Sequence, residues 1–353
     1  MRQKIVYSLL LTAILFSSCG KKAKKSYDEI GNAGLTVRTE NLQANLRSFA
    51  KQGVIIGQQY ATLEGVGWVS DTIERSDIHG VCGDFPASSG YELLGLEHGW
   101  SMNSDSLDFS VIREDALRLF KRGGLILMKW TAPDPRGNEK TLDDWVGRIA
   151  RYLASLQNDY GIKAPVVLFL YPQEGKSWYD NLSDEAYKDM FEHTIDKLKD
   201  LDVTNALYGY SCNSAALKKG IEDRLPEGVD VINMTLFGDR DTRESKSLSS
   251  SLPESLNLLK QTASEHHLAQ GLTTGMEGLP DSTFFSKTLL PAIQQSGLSY
   301  ILFGRNHGDF SEGYCYTPYP GCGNARINDF MKFYNNRTTI FLKELNGLYL
   351  NGK

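Results

Sequence analysis

The sequence predicts a (β/α)8 TIM barrel, and three observations carry that expectation. Short apolar runs alternate with amphipathic stretches about eight times, the rhythm of a strand–helix repeat. Several runs are continuously apolar, as parallel strands buried on both faces are. No glycine-rich phosphate loop follows any run, which weighs against a doubly wound open sheet.

In chain order the runs are VIIG (54–57), VCGDF (81–85), LILMKW (125–130), VVLFL (166–170), ALYGY (206–210), VDVINM (229–234), LAQGLT (268–273) and YILFG (300–304). Between them lie helical patterns. Over 143–158, Trp145, Ile149, Tyr152, Leu153 and Leu156 share one face. Over 184–201, Tyr187, Met190, Phe191, Ile195 and Leu198 do the same, and Ser183 ahead of Asp184 and Glu185 reads as a helix start. A last helix is expected over 327–334. No shift of composition marks a second domain.

The segment ahead of the barrel predicts where the protein lives. Arg2 and Lys4 precede an apolar stretch, 6–16, that is too short to span a bilayer. Ser17 and Ser18 are small residues ahead of Cys19. The pattern resembles a bacterial lipoprotein signal, cleaved before Cys19 and acylated on its thiol. The other reading is an ordinary secretory signal with an incidental cysteine. The expected layout is a signal peptide over 1–18, a polar, basic tether over 19–35 and the barrel over 36–353. Two or more acyl chains hold a protein on a membrane where one does not. The expectation is an outer-membrane lipoprotein facing the periplasm or the cell surface, with a monomer as the simplest state.

Hydrophobic content of 41% and charged content of 23% suit a soluble globule. A formal net charge of −5 argues against nucleic acid, whose binding needs clustered cations. Cys82, Cys212, Cys315 and Cys322 remain after cleavage. Cys315 and Cys322 bracket a turn rich in proline and glycine, so a local disulfide is one expectation. No C-x-x-C spacing occurs and no metal is expected; no cofactor is expected either.

In a barrel, function sits at the C-terminal ends of the strands. The runs place those ends at 58–60, 84–86, 130–135, 171–178, 211–213, 235–239, 273–277 and 304–307. They carry Tyr60, Trp130, Tyr171, Trp178 and Phe237 among amides and hydroxyls. Aromatic faces stack on sugar CH groups while amides bond the hydroxyls. The competing reading is that half of these rings simply pack the barrel mouth.

Several segments in order resemble glycoside hydrolase family 26, whose best-known members are endo-β-1,4-mannanases on a (β/α)8 barrel. The segments are GQQYATLEGVGW (57–68), SDIHGVCGDFPASSGYELLGLE (76–97), GGLILMKWTAPDP (123–135), LSDEAYKDMF (182–191), GMEGLPDSTFFSKTLLPAI (275–293) and GRNHGDFSEGYCYTPYPGCGNARINDFMKFYNN (304–336). The resemblance implies two catalytic glutamates: an acid/base in a His-Glu pair after the fourth strand and a nucleophile ending the seventh. Anchored on Trp178, the first pair falls on Pro172-Gln173, and the nucleophile falls on Thr273. The third-strand Trp-His falls on Trp130-Thr131, and the sixth-strand acid and tyrosine on Thr235 and on Leu236 or Phe237. Gly304 stands for a tryptophan before Arg305-Asn306.

An amide cannot give up a proton to a leaving oxygen, and a threonine brings no carboxylate to an anomeric carbon. The expected function is therefore binding of a β-mannan-type polysaccharide with catalysis lost or strongly reduced. Trp130, Thr131, Tyr171, Trp178, Phe237, Arg305 and Asn306 are the expected sugar contacts. An alternative keeps a retaining mannanase with shifted carboxylates: Glu174, one residue beyond Gln173, and Glu277, four beyond Thr273. Glu97 and Asp239 are further acids near the mouth, read as loop anchors. A third reading is a structural lipoprotein on a reused barrel, since fold alone does not give function.

Overall fold

The computed structural model describes residues 28–70 and 74–351. The signal segment and Cys19 lie outside the described residues. Eight parallel strands form a closed ring: β1 (Val54–Gln59), β2 (Ser88–Glu92), β3 (Leu125–Trp130), β4 (Val166–Leu170), β5 (Ala206–Asn213), β6 (Val231–Gly238), β7 (Ala269–Met276) and β8 (Tyr300–Phe303). Each pairs with the next, and β8 pairs with β1 in the register Ile55↔Tyr300. Closure removes every open sheet edge. Helices lie between successive strands, so the expected (β/α)8 barrel is the fold. Among the described residues no helix is long and apolar enough to cross a membrane.

Strand alternation sorts the apolar residues into two layers. Ile55, Leu125, Leu127, Val167, Phe169 and Val231 fill the ring. Ile56, Ile126, Met128, Leu168, Ile232 and Met234 face outward against the helices. The bottom of the ring is stoppered by Leu42, Leu46 and Phe49 of the helix Val37–Phe49 and by Leu342, Leu345 and Leu348 of the tail. Asn45 stitches these two together, its amide N–H donating to the carbonyls of Gly347, Leu348 and Leu350. Two interior glycines make room for large neighbours. A Cβ on Gly209 would lie 2.3 Å from the Phe169 ring, and one on Gly271 would lie 2.0 Å from Tyr300.

Helix starts follow local chemistry. Asn138 caps Glu139–Ser155 through Thr141 N at 3.2 Å, and Ser183 caps Asp184–Asp200 through Ala186 N at 3.2 Å. The first helix thus begins four residues earlier than its apolar face suggests. The last runs Asn324–Tyr334.

One strand differs from expectation. The run VCGDF is not β2: residues Asp77–Cys82 form a short helix that ends at Gly83, φ +74°. The following Phe85 stacks on His79. The true β2 is SSGYE, all of it buried. Residues 28–35, placed in the tether by sequence, turn back onto the barrel. Asp28 accepts the amide of Lys163 at 2.8 Å, and Ile30 bridges to Thr36.

Candidate functional site

Inward alternation continues to the C-terminal ends of the strands and decides which side chains meet there. Gln59 ends β1, Glu92 ends β2, Lys129 precedes the last residue of β3, and Thr273 lies inward on β7. Glu174, in the turn after β4, joins them. Gln59, Glu92, Lys129 and Glu174 border a cleft of about 430 Å3, whose far side is formed by Phe237, Arg305, His307 and Tyr316, while Thr273 lies deeper. Below it, a smaller well of about 130 Å3 reaches into the ring. Gln59, Lys129, Glu174 and Phe237 border both spaces, so the well opens into the cleft.

The cleft is built around ion pairs. Lys129 Nζ lies 3.4 Å from Glu92 Oε2 and 3.7 Å from Glu174 Oε1. Burial opposes the ammonium charge, but the carboxylates of Glu92 and Glu174 outweigh it and hold the Lys129 pKa above its ordinary value. Glu92 is 5% exposed and saturated with donors. It accepts the amides of Leu93 and Leu94 at 2.9 Å each, that of Thr131 at 3.2 Å, and the Thr131 hydroxyl at 2.8 Å. Across the cleft, Arg305 Nη1 bridges Glu64 Oε1 at 3.2 Å and Asp105 Oδ1 at 3.1 Å. Burial lifts the Glu64 carboxyl from 4.5 to about 7 against the pull of Arg305, and neighbouring Asp105 adds to the rise. His307 is held below its ordinary pKa by burial and by Arg305.

The expected contacts divide. Phe237 is 41% exposed at the cleft, with its ring edge against Tyr316 at 5.2 Å. Thr131 and Arg305 also border the cleft. Trp130 and Tyr171 do not. Both are fully buried and pack on each other among the outer aromatic residues, and Trp130 Nε1 donates to Glu97. Trp130 follows the inward Lys129 and so points outward. Tyr171 takes φ +47°, which ends strand alternation at that residue. Trp178 Nε1 donates to the carbonyl of Ala132, and the side chain leans on the outer core.

Asn306 is 1% exposed, and both atoms of its amide are engaged in internal hydrogen bonds. Tyr60 is a buried strut: its hydroxyl donates to Asp105 and accepts from Asn103 and from the amide of Glu92. Glu97 is fully buried and accepts the amide of Gly95, a loop anchor as expected. Asp239 accepts from the amide of Arg240.

Gln173 and Glu174 face opposite ways. Gln173 is 5% exposed and accepts the Tyr210 hydroxyl at 3.1 Å on the outer side of the ring, away from the cleft. Glu174 lies in the cleft. Thr273 donates to Asn233 Oδ1 at 3.2 Å in the well. Glu277 borders neither space. Its carboxylate pairs with Arg240 Nε at 3.0 Å, and Arg240 lies over Tyr314, whose other partner is the stacked His307 ring. Cys315 and Cys322 are free thiols, so the expected bridge is not made. Cys315 packs into the outer core and Cys322 closes a turn onto Tyr319. Burial pushes the Cys315 thiol up to about 11.

Glu92, Lys129, Asp105, Gln59 and His307 were not among the expected site residues. For Lys129 and Gln59 the signal was available: each is inward by alternation from an apolar core residue of its own strand, Leu127 and Ile55.

No family model matches the chain. Solved structures do. The family 26 β-mannanase of Bacteroides ovatus is 28% identical, covers 89% of this chain and 97% of its own, and superposes with a TM-score of 0.82. GH26C from a Muricauda species is 22% identical over 90% of this chain and 94% of its own, TM-score 0.76. The catalytic domain of a Bacillus sp. GH26 endo-β-1,4-mannanase is 19% identical over 90% and 94%, TM-score 0.77. The chain has the fold of these family 26 proteins.

Proposed function

We propose that this protein is a family 26-like lipoprotein that holds β-mannan-type polysaccharide in its mouth cleft, with hydrolysis lost or strongly reduced. One observation carries the reading: the carboxylates that border the cleft are tied up in ion pairs, Glu92 and Glu174 with Lys129 and Asp105 with Arg305. Glu92 and Glu174 share the Lys129 ammonium and so lie side by side on one wall of the cleft. A retaining site needs its two carboxyl groups about 5–5.5 Å apart, flanking the scissile bond. The strand ends of the facing wall offer Thr235, Phe237, Thr273 and Gly304, and the carboxylate beyond them, Asp105, is paired with Arg305.

The retaining alternative has one point in its favour, the placement of Glu174 in the cleft. Its partner, Glu277, is engaged by Arg240 and lies outside both spaces. Binding asks less of the site. An exposed ring at Phe237 with polar groups around it suits a sugar face and its hydroxyls. The lipid anchor at Cys19 and the outer-membrane location, facing periplasm or surface, rest on the N-terminal sequence. The mass of the mature N-terminus tests them, and an unacylated Cys19 contradicts them.

Binding is tested by retardation of the soluble chain in native gels containing mannan. Phe237→Ala is expected to weaken retardation about tenfold, the worth of one good ring contact. Equal retardation of variant and wild type removes Phe237 from the contact surface, and no retardation of the wild type refutes the binding reading.

A further inference from the structure

We infer that the well beneath the cleft receives a small acyl substituent on the bound glycan, so that the protein prefers O-acetylated over unsubstituted chains. The inference rests on the glycan-binding reading and adds to it a chemical class of ligand.

Size excludes most occupants. A cavity of about 150 Å3 takes a single benzene, a group of about six heavy atoms. The well, at about 130 Å3, is slightly smaller. A hexosyl residue with its exocyclic groups has nearly twice as many heavy atoms, so neither a backbone sugar nor a pendant hexosyl branch enters whole. A substituent on a sugar held in the cleft does, because the well opens between Gln59, Lys129, Glu174 and Phe237.

The lining chooses among small substituents. Leu127, Phe169 and Leu302 give the well an apolar side. A hydroxymethyl group whose oxygen reaches the polar side brings no methyl into contact with this one. A methyl group gains from the same contact. The polar side is set by Asn233. Its amide N–H donates to Ser211 Oγ at 3.0 Å, so the Ser211 hydroxyl is an acceptor in that bond and its own hydrogen points elsewhere. Asn233 Oδ1 meanwhile accepts from Thr273 Oγ1 at 3.2 Å and from the Tyr300 hydroxyl at 3.0 Å. Ser211 therefore supplies a donor in a space that already has an apolar side. An acetyl ester matches both features, with its methyl on Leu127 and Phe169 and its carbonyl oxygen accepting from Ser211.

The test compares mono-O-acetylated and unsubstituted manno-oligosaccharides of equal length by calorimetric titration of the intact soluble chain. The wild type is expected to bind the acetylated form about tenfold tighter, the combined yield of one buried methyl and one hydrogen bond. Ser211→Val, which fills the well and removes the donor, is expected to bring the ratio to about one. Equal wild-type affinities, or tighter binding of the unsubstituted form, overturn the inference while leaving glycan binding intact. Failure of both ligands to bind overturns the two together. The wild-type comparison decides the matter even if Ser211→Val does not fold.

Discussion

Replacing Asn306 by alanine is expected to destabilise the protein by about 3 kcal/mol, because the side chain closes four internal hydrogen bonds. Its Nδ2 donates to Asp77 Oδ2 at 2.9 Å and to the carbonyl of Thr317 at 3.0 Å. Its Oδ1 accepts the amides of Tyr316 at 2.8 Å and Thr317 at 3.2 Å. Asp77 in turn accepts the amide of Val66 and the indole of Trp68. Asn306 thereby fastens the loop after β8, with Arg305, His307 and Tyr316 on it, to the short hairpin Glu64–Gly65/Trp68–Val69. At about 2 cal/mol/K of unfolding entropy per residue, the loss lowers the melting temperature by about 4–5 °C. Asn306→Asp is expected to be worse. It keeps an acceptor for the two amides but sets a second carboxylate against Asp77. An unchanged melting curve for Asn306→Ala would show that the loop is held by other means.

Glu64→Gln is expected to remove a pH dependence from the wild type. The folded carboxyl titrates at about 7 and the unfolded one at 4.5. Below pH 4.5 Glu64 is neutral in both states and costs nothing. As pH rises from 4.5 to about 7 the unfolded chain releases this proton and the folded chain retains it, so stability falls. Above the folded pKa the penalty is complete, about 3 kcal/mol. Glutamine carries no such titration. The melting temperature of Glu64→Gln minus that of the wild type is therefore expected to rise by about 4–5 °C between pH 4.5 and 7.5, then to level off. A difference that stays flat across that range contradicts the burial argument. Arg305 keeps a partner in either case, since Asp105 lies 3.1 Å from it.

The barrel was legible in the sequence because parallel strands buried on both faces write themselves as continuous apolar runs. LILMKW and VVLFL coincide with β3 and β4. β2 was illegible for the converse reason. Its residues Ser88, Ser89 and Gly90 are small because the ring is crowded there, and a Cβ on Gly90 would lie 2.6 Å from Leu302. Small buried residues leave no hydrophobic signal, while the helix Asp77–Cys82 beside them offers one.

The mouth was legible in part. Phe237, Thr131, Arg305 and Glu174 were found by position along the chain, and all border the cleft. Trp130 was misplaced because ring chemistry was weighed ahead of alternation, and Tyr171 because its positive φ ends the alternation that would have turned it inward. Lys129, between Met128 and Trp130, is the inward residue. Gln173 and Glu174 show the same point after a strand ends: the positive φ of Tyr171 changes which neighbour faces in, and no spacing rule reveals it.

The mouth ties Glu92 and Glu174 to a shared lysine on one wall, sets hydroxyls at the strand ends opposite, and holds Asp105 across the cleft against Arg305. This division is the reason to expect grip without cleavage. Its most direct test is the reducing-end content of soluble β-mannan incubated with concentrated protein under conditions in which the polymer is demonstrably bound. The expected result is retention of the polymer with reducing ends at the level of buffer alone. Steady release of reducing ends at an ordinary glycosidase turnover, about 1–10³ per second, would contradict it.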